Sequence, residues 1–177
     1  MPVTTDVVLD LFDHMEWADA QMWDAALKSD AARTDDKLRW LMLHLHGVQR
    51  AFLDAWMSQP FAFRNDYSDT TIEKELPSVR AYYPTGRTYL AGLTPGQLSS
   101  SVALPWSKWA ERAIGRPLGP TTLGETILQA ISHSAHHRAQ ANIRLREVGV
   151  DRPPVIDYIA WLWLERPQPA WPAVIGA

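Results

Sequence analysis

Cysteine is absent from the 177 residues. That excludes a thiolate metal site, a cysteine nucleophile and a disulfide framework, so any metal must be held by nitrogen or oxygen. Long apolar runs are absent as well. The longest near the C-terminus, YIAWLWL from Tyr158 to Leu164, falls far short of the ~20 residues a membrane span needs. The first fifteen residues, MPVTTDVVLDLFDHM, are acidic and lack the basic start and apolar middle of a signal peptide. A cytoplasmic protein with no membrane partner is expected. Excess positive charge is missing too: the formal net charge is −3, with Lys and Arg scattered along the chain. The electrostatic footprint of a nucleic-acid binder is therefore lacking. No Ser-His-Asp motif, Gly-rich phosphate loop or dinucleotide fingerprint supports a rival chemistry.

What is present is apolar residue at helical spacing. A chain of this length with 46% apolar content is most simply one domain, large enough to bury a core without a metal staple. A first helix should start at the Thr4-Thr5-Asp6 cap, carry Val8, Leu11, Phe12, Met15, Met22 and Ala26 on one stripe, and end near Ser29. A second starts at Thr34 or Asp35, buries Leu38, Leu41, Leu45, Val48 and Phe52, and stops before Pro60. QPFAFRNDYSDTT reads as a loop. A third helical region, from about Thr71 to Leu93, is interrupted in pattern by Pro77 and Pro84.

Residues 94–120 are rich in Gly, Pro and Ser and read as the main irregular excursion, with short extended pieces. The fourth long helix is the clearest. Thr121 or Thr122 caps it, Glu125 completes a capping box, and Gly149 stands where a left-handed residue ends a helix. Its stripe runs through Leu123, Ile127, Ala130, Ile131, Ser134, Ala141, Leu145 and Val148. A short helix within PVIDYIAWLWLE closes at Pro167. The expected fold is all-α: a four-helix bundle with an additional short C-terminal helix. The nine tryptophans, without basic interleaving, read as core and interhelix packing. With the apolar YIAWLWL they also point to a homodimer.

Three of the six histidines fall within eight residues, HSAHHRAQ, from His133 to Gln140. At 3.6 residues per turn, His133 and His137 lie one above the other, and His136 is rotated about 100° from His137. His133 and His137 border the small-residue stripe, whereas His136 shares a wetter face with Gln129, Ser132 and Gln140. An i, i+4 histidine pair can reach one ion from an undistorted helix. Polar core histidines are the other reading of the same spacing. In the second helix His44 flanks the buried stripe, while His46 lies about 200° away with Met42, Gln49 and Leu53, so the two cannot share one site.

DHMEWADAQMW, HLHGVQRAFL, TTLGETILQAISHSAHHRAQANIRLREVG and PPVIDYIAWLWL together resemble the DinB/YfiT-like family of metal-dependent enzymes. The family is the damage-inducible helical-bundle family and not the DNA polymerase that shares the name. The resemblance spans nearly the whole chain, with histidine-x3-histidine-Arg-x-Gln as its most specific part. It implies a divalent ion, zinc or nickel, on His44, His133 and His137. It also implies hydrolysis, or transfer and isomerisation with a low-molecular-weight thiol such as bacillithiol or mycothiol, on a small-molecule substrate. A non-catalytic metal-binding stress-response protein is the alternative. The chain departs from the pattern at Gln49, where many relatives carry an acidic residue. Gln140 matches a family Gln and could orient a ligand or stay a surface amide. His14, beside Trp17, aligns with no ligand and reads as packing, and Glu125 as a cap.

Overall fold

A computed structural model of the chain describes residues 3–60, 64 and 66–173, and these are helical apart from turns and one isolated bridge, Ser101 to Thr122. Four long helices carry the core: α1 Thr5–Leu27, α3 Asp36–Trp56, α4 Ile72–Ala91 and α7 Leu123–Glu147. Four short ones join or flank them: α2 Asp30–Thr34, α5 Pro95–Leu98, α6 Ser107–Ile114 and α8 Tyr158–Trp163. The loop expected over 59–71 falls partly on residues outside the described set.

Local chemistry explains the boundaries. The Thr4 side chain accepts from the Val7 amide at the start of α1, and Asp35 accepts from the Leu38 amide at the start of α3. Thr122 and Glu125 complete both halves of the capping box on α7, and beyond its end Gly149 takes a φ of 91°, a conformation glycine adopts without penalty. Three short helices lie where loops were expected. Ser29 caps α2, and Thr94 with Gln97 forms a full capping box on α5 with Pro95 in the first turn. Gly115, at φ 79°, ends α6. Residues 94–120 are thus more helical than their Gly and Pro content implied.

Pro77 and Pro84 do not divide α4. Each proline removes one i to i−4 bond at about 3 kcal/mol. Ile72, Leu76, Val79, Tyr82, Tyr83 and Leu90 are buried along the same helix, and at about 1.5–3 kcal/mol for each large apolar side chain their burial outweighs that loss. Burial decided the helix where local propensity spoke against it.

Side-chain contacts fix the topology. Asp35 pairs with Arg144 at one end, while Trp56 donates to Thr126 at the other, so α3 and α7 run antiparallel. Thr5 donates to the Leu93 carbonyl, which sets α1 antiparallel to α4. Two apolar clusters follow. One gathers Met22, Trp23, Leu38, Leu76 and Leu145, and the other Val8, Phe12, Leu53, Leu90 and Ile127. The end of α3 and the start of α4 therefore lie at opposite ends of the helices. At Gly86 a Cβ would come within 2.7 Å of the Phe12 ring, so glycine there permits the close approach of α4 to α1.

A buried polar layer joins all four long helices. Asp19 of α1 accepts from Arg138 of α7 at 2.9 Å, from Gln49 of α3 at 2.9 Å and from the Tyr83 hydroxyl of α4. Gln49 also donates to Ser134 of α7 at 3.0 Å. His46 stands 3.9 Å from Asp19 and accepts from the Trp23 indole at 2.9 Å. Burial works to raise the Asp19 carboxyl, but Arg138, His46, Tyr83 and Gln49 together hold it below the usual carboxylate range. The aspartate is charged and compensated in the interior.

Candidate metal centre

The most extensive helix contact in the molecule is between α3 and α7, and it brings the two histidine motifs together. His44 projects from the third turn of α3, and His133 and His137 project from successive turns of α7. Ring centroids are 4.4 Å apart for His133 and His137, 4.7 Å for His44 and His137, and 5.7 Å for His44 and His133. One nitrogen from each ring lies within 4.8 Å of the others. A tetrahedral ion with metal–nitrogen bonds of about 2.0–2.1 Å holds its nitrogens about 3.3 Å apart. An ion on all three would draw the nitrogens together by up to about 1.5 Å. Among the described residues this is the one group of three or more potential ligands.

The rings stand in the form coordination needs. Burial is the largest cause in each case. It lowers His133 to about 4, with His137, His44 and His136 adding to the effect. Burial and then His137 lower His44. Burial also lowers His137, against a raising hydrogen bond from Gln140. Neutral imidazole at neutral pH is the ligand form, so protons compete weakly with a cation. The buried Nδ1 of His133 has no hydrogen-bond partner among the described residues, the kind of atom for which a metal bond supplies the missing interaction.

Two neighbours hold the rings. Trp40, one turn before His44 and 40% exposed, stacks on it at 4.7 Å with planes 6° apart. Gln140 contacts His137 Nδ1 at 2.8 Å through its Oε1. The remaining histidines do not join the set of three. His46 is interior, His136 is exposed, and His14 packs among Trp17, Tyr158 and Trp161 with its Nε2 2.9 Å from the Ile156 carbonyl. Glu125 serves its cap. No carboxylate joins the cluster among the described residues.

The residues that sequence reasoning missed are Asp19 and Arg138. Each occupies a gap in an apolar stripe, position 19 between Met15 and Met22 and position 138 between Ser134 and Ala141. Opposite charges in stripe gaps of two helices were the available signal. No helix among the described residues is long and apolar enough to cross a membrane. No protein-family model matches the chain, and no curated protein or solved structure matches it either. The site is therefore read from its own geometry.

Proposed function

We propose that this chain is a divalent-metal protein, a four-helix bundle of the DinB/YfiT-like kind, acting on a small molecule through His44, His133 and His137. The observation that carries the reading is the convergence of three imidazoles, from two helices, with ligand nitrogens within 4.8 Å. Three neutral nitrogen donors suit zinc or nickel. Such an ion supplies Lewis acidity and a coordination position for water or a low-molecular-weight thiol, whose deprotonation it favours. The protein's part is to hold the three rings neutral, to leave the cation's charge uncompensated by any carboxylate of the described residues, and to keep the site at the rim of the core where a substrate can enter. Hydrolysis and thiol-dependent transfer both use these properties.

The test is a turnover screen of zinc- and nickel-loaded protein, with small thiols plus electrophiles in one arm and esters and amides in the other. Metal-dependent turnover in one arm, lost in His137→Ala, is expected. Turnover in neither arm, with metal bound, assigns the chain to the non-catalytic metal-binding class instead.

Self-association is part of the same proposal. Ile159 and Trp163 lie one turn apart on α8, with Trp163 77% exposed and Leu164 beside it, an apolar face suited to a second copy. Sedimentation of a dimer that Trp163→Glu reduces to monomer is the expected result, and a monomer at micromolar concentration overturns it.

A further inference from the structure

Gln140 stands one turn beyond His137 on α7, exposed at the edge of the histidine cluster. Its amide has two partners. Oε1 lies 2.8 Å from His137 Nδ1, and Nε2 lies 3.1 Å from His136 Nε2. The two contacts constrain each other. Only one end of the amide is an acceptor and only the other is a donor. With the oxygen toward His137, that ring must carry its proton on Nδ1, and its Nε2 lone pair is left for a cation. The NH2 group then donates to His136 Nε2, which fixes the amide against rotation. The reverse orientation would engage a bare Nδ1 of His137 with the amide NH2 and place the ring proton on Nε2, which leaves no lone pair for a cation.

We propose that Gln140 is a positioning residue of the metal centre, which selects the Nδ1–H tautomer of His137 and so presents Nε2 to the ion, with His136 holding Gln140 in turn. The inference rests on the three-histidine reading and adds to it the residue that sets the chemical form of one ligand. It also gives His136 a part outside the coordination sphere, consistent with its 100° rotation from the ligand face.

Cobalt(II) is the probe, followed by calorimetry and by its visible absorption, with wild type, Gln140→Ala, Gln140→Glu and His136→Ala. Position 140 is exposed on a helix, where alanine is well tolerated. Gln140→Ala is expected to weaken binding about 10–100-fold, as loss of a partner behind a metal ligand does. Gln140→Glu keeps the acceptor and is expected to match or exceed wild type. His136→Ala is expected to cost only a few-fold, because the acceptor remains. Affinity in Gln140→Ala within two-fold of wild type, or failure of Gln140→Glu to restore it, overturns the proposal. Nitrogen-15 NMR of the metal-free protein separates the two layers of inference. His137 should be the Nδ1–H tautomer in wild type and a mixture in Gln140→Ala. Wild type that takes up no cobalt overturns the reading of the site, whereas an Nε2–H tautomer of His137 in wild type overturns the role of Gln140.

Discussion

His44 and His46 are two residues apart on α3, yet they serve two different polar regions. His44 turns to the rim, where three neutral rings converge and the buried Nδ1 of His133 has no hydrogen-bond partner among the described residues. His46 turns to the interior, where the Trp23 indole donates to it and the Asp19–Arg138 pair stands beside it. The rim concentrates acceptors of one kind with no carboxylate in the cluster among the described residues, an arrangement that gains from a cation. The interior matches donors to acceptors and positive to negative charge, an arrangement that gains from being left alone. Beside it lies a space of about 10 Å³ lined by Asp19, His46 and Arg138. That is about the room of one water. Polar residues on the same two helices are therefore divided between binding and architecture by rotation about the helix axis alone.

The contrast breaks most visibly at the ion pair. Asp19→Ala or Arg138→Met leaves a buried charge uncompensated and should cost about 3–5 kcal/mol in urea unfolding. The combined Asp19→Leu and Arg138→Met replacement should recover much of that loss. A single-variant cost below about 1 kcal/mol would contradict the structural role of the interior. At the rim the reverse pattern is expected. His44→Ala, His133→Ala and His137→Ala should each reduce metal affinity by more than about 100-fold, beyond the effect of losing an outer partner. Each should also abolish the rise in melting temperature that metal confers on the wild type. Metal-free stability should change by less than about 1 kcal/mol in these variants, since the rings are only half-buried. A large metal-free loss would merge the two regions into one structural unit.

His46→Leu sharpens the boundary between the regions. It strands the Trp23 indole N–H and should cost about 1–3 kcal/mol of stability, with cobalt affinity unchanged. Acidification then separates the regions by pH. His133 falls to about 4 in the folded chain, against about 6.5 when unfolded. Between those values the unfolded state binds more protons, so metal-free stability should fall as pH drops from about 6.5 toward 4. Asp19 is held below its unfolded value. Its contribution is present above a pH of about 3.9 and is lost as pH falls through the lower folded pKa. His133→Ala should reduce the first phase and leave the second. A metal-free stability profile flat from pH 6.5 to 4 would contradict the burial of the rim histidines. Metal should also stay bound to lower pH than unperturbed imidazoles at about 6.5 would allow.

Much of the molecule was legible in the chain. The Thr4-Thr5-Asp6 cap, Thr34 or Asp35, and Thr121 or Thr122 with Glu125 marked helix starts, because caps are local chemistry between residues three or four apart. The same angular arithmetic separated His44 from His46 and His137 from His136. The continuity of α4 through Pro77 and Pro84 was not legible, since it depends on buried partners from other helices. The buried layer escaped for a related reason. Asp19, Arg138, Gln49 and Tyr83 stand on four different helices, and only their mutual pairing removes the cost of burying them.

The sequence by itself determined the helical class, the helix starts and the faces that His44, His133 and His137 occupy, because periodicity and capping act within one or two turns. Tertiary structure alone decided that α3 and α7 lie antiparallel and in contact, so that two motifs separated by almost 90 residues present nitrogens within 4.8 Å. It also decided that Asp19 finds Arg138 across 119 residues of chain. Both outcomes depend on the orientation of one helix against another, and no pattern local to a helix specifies that.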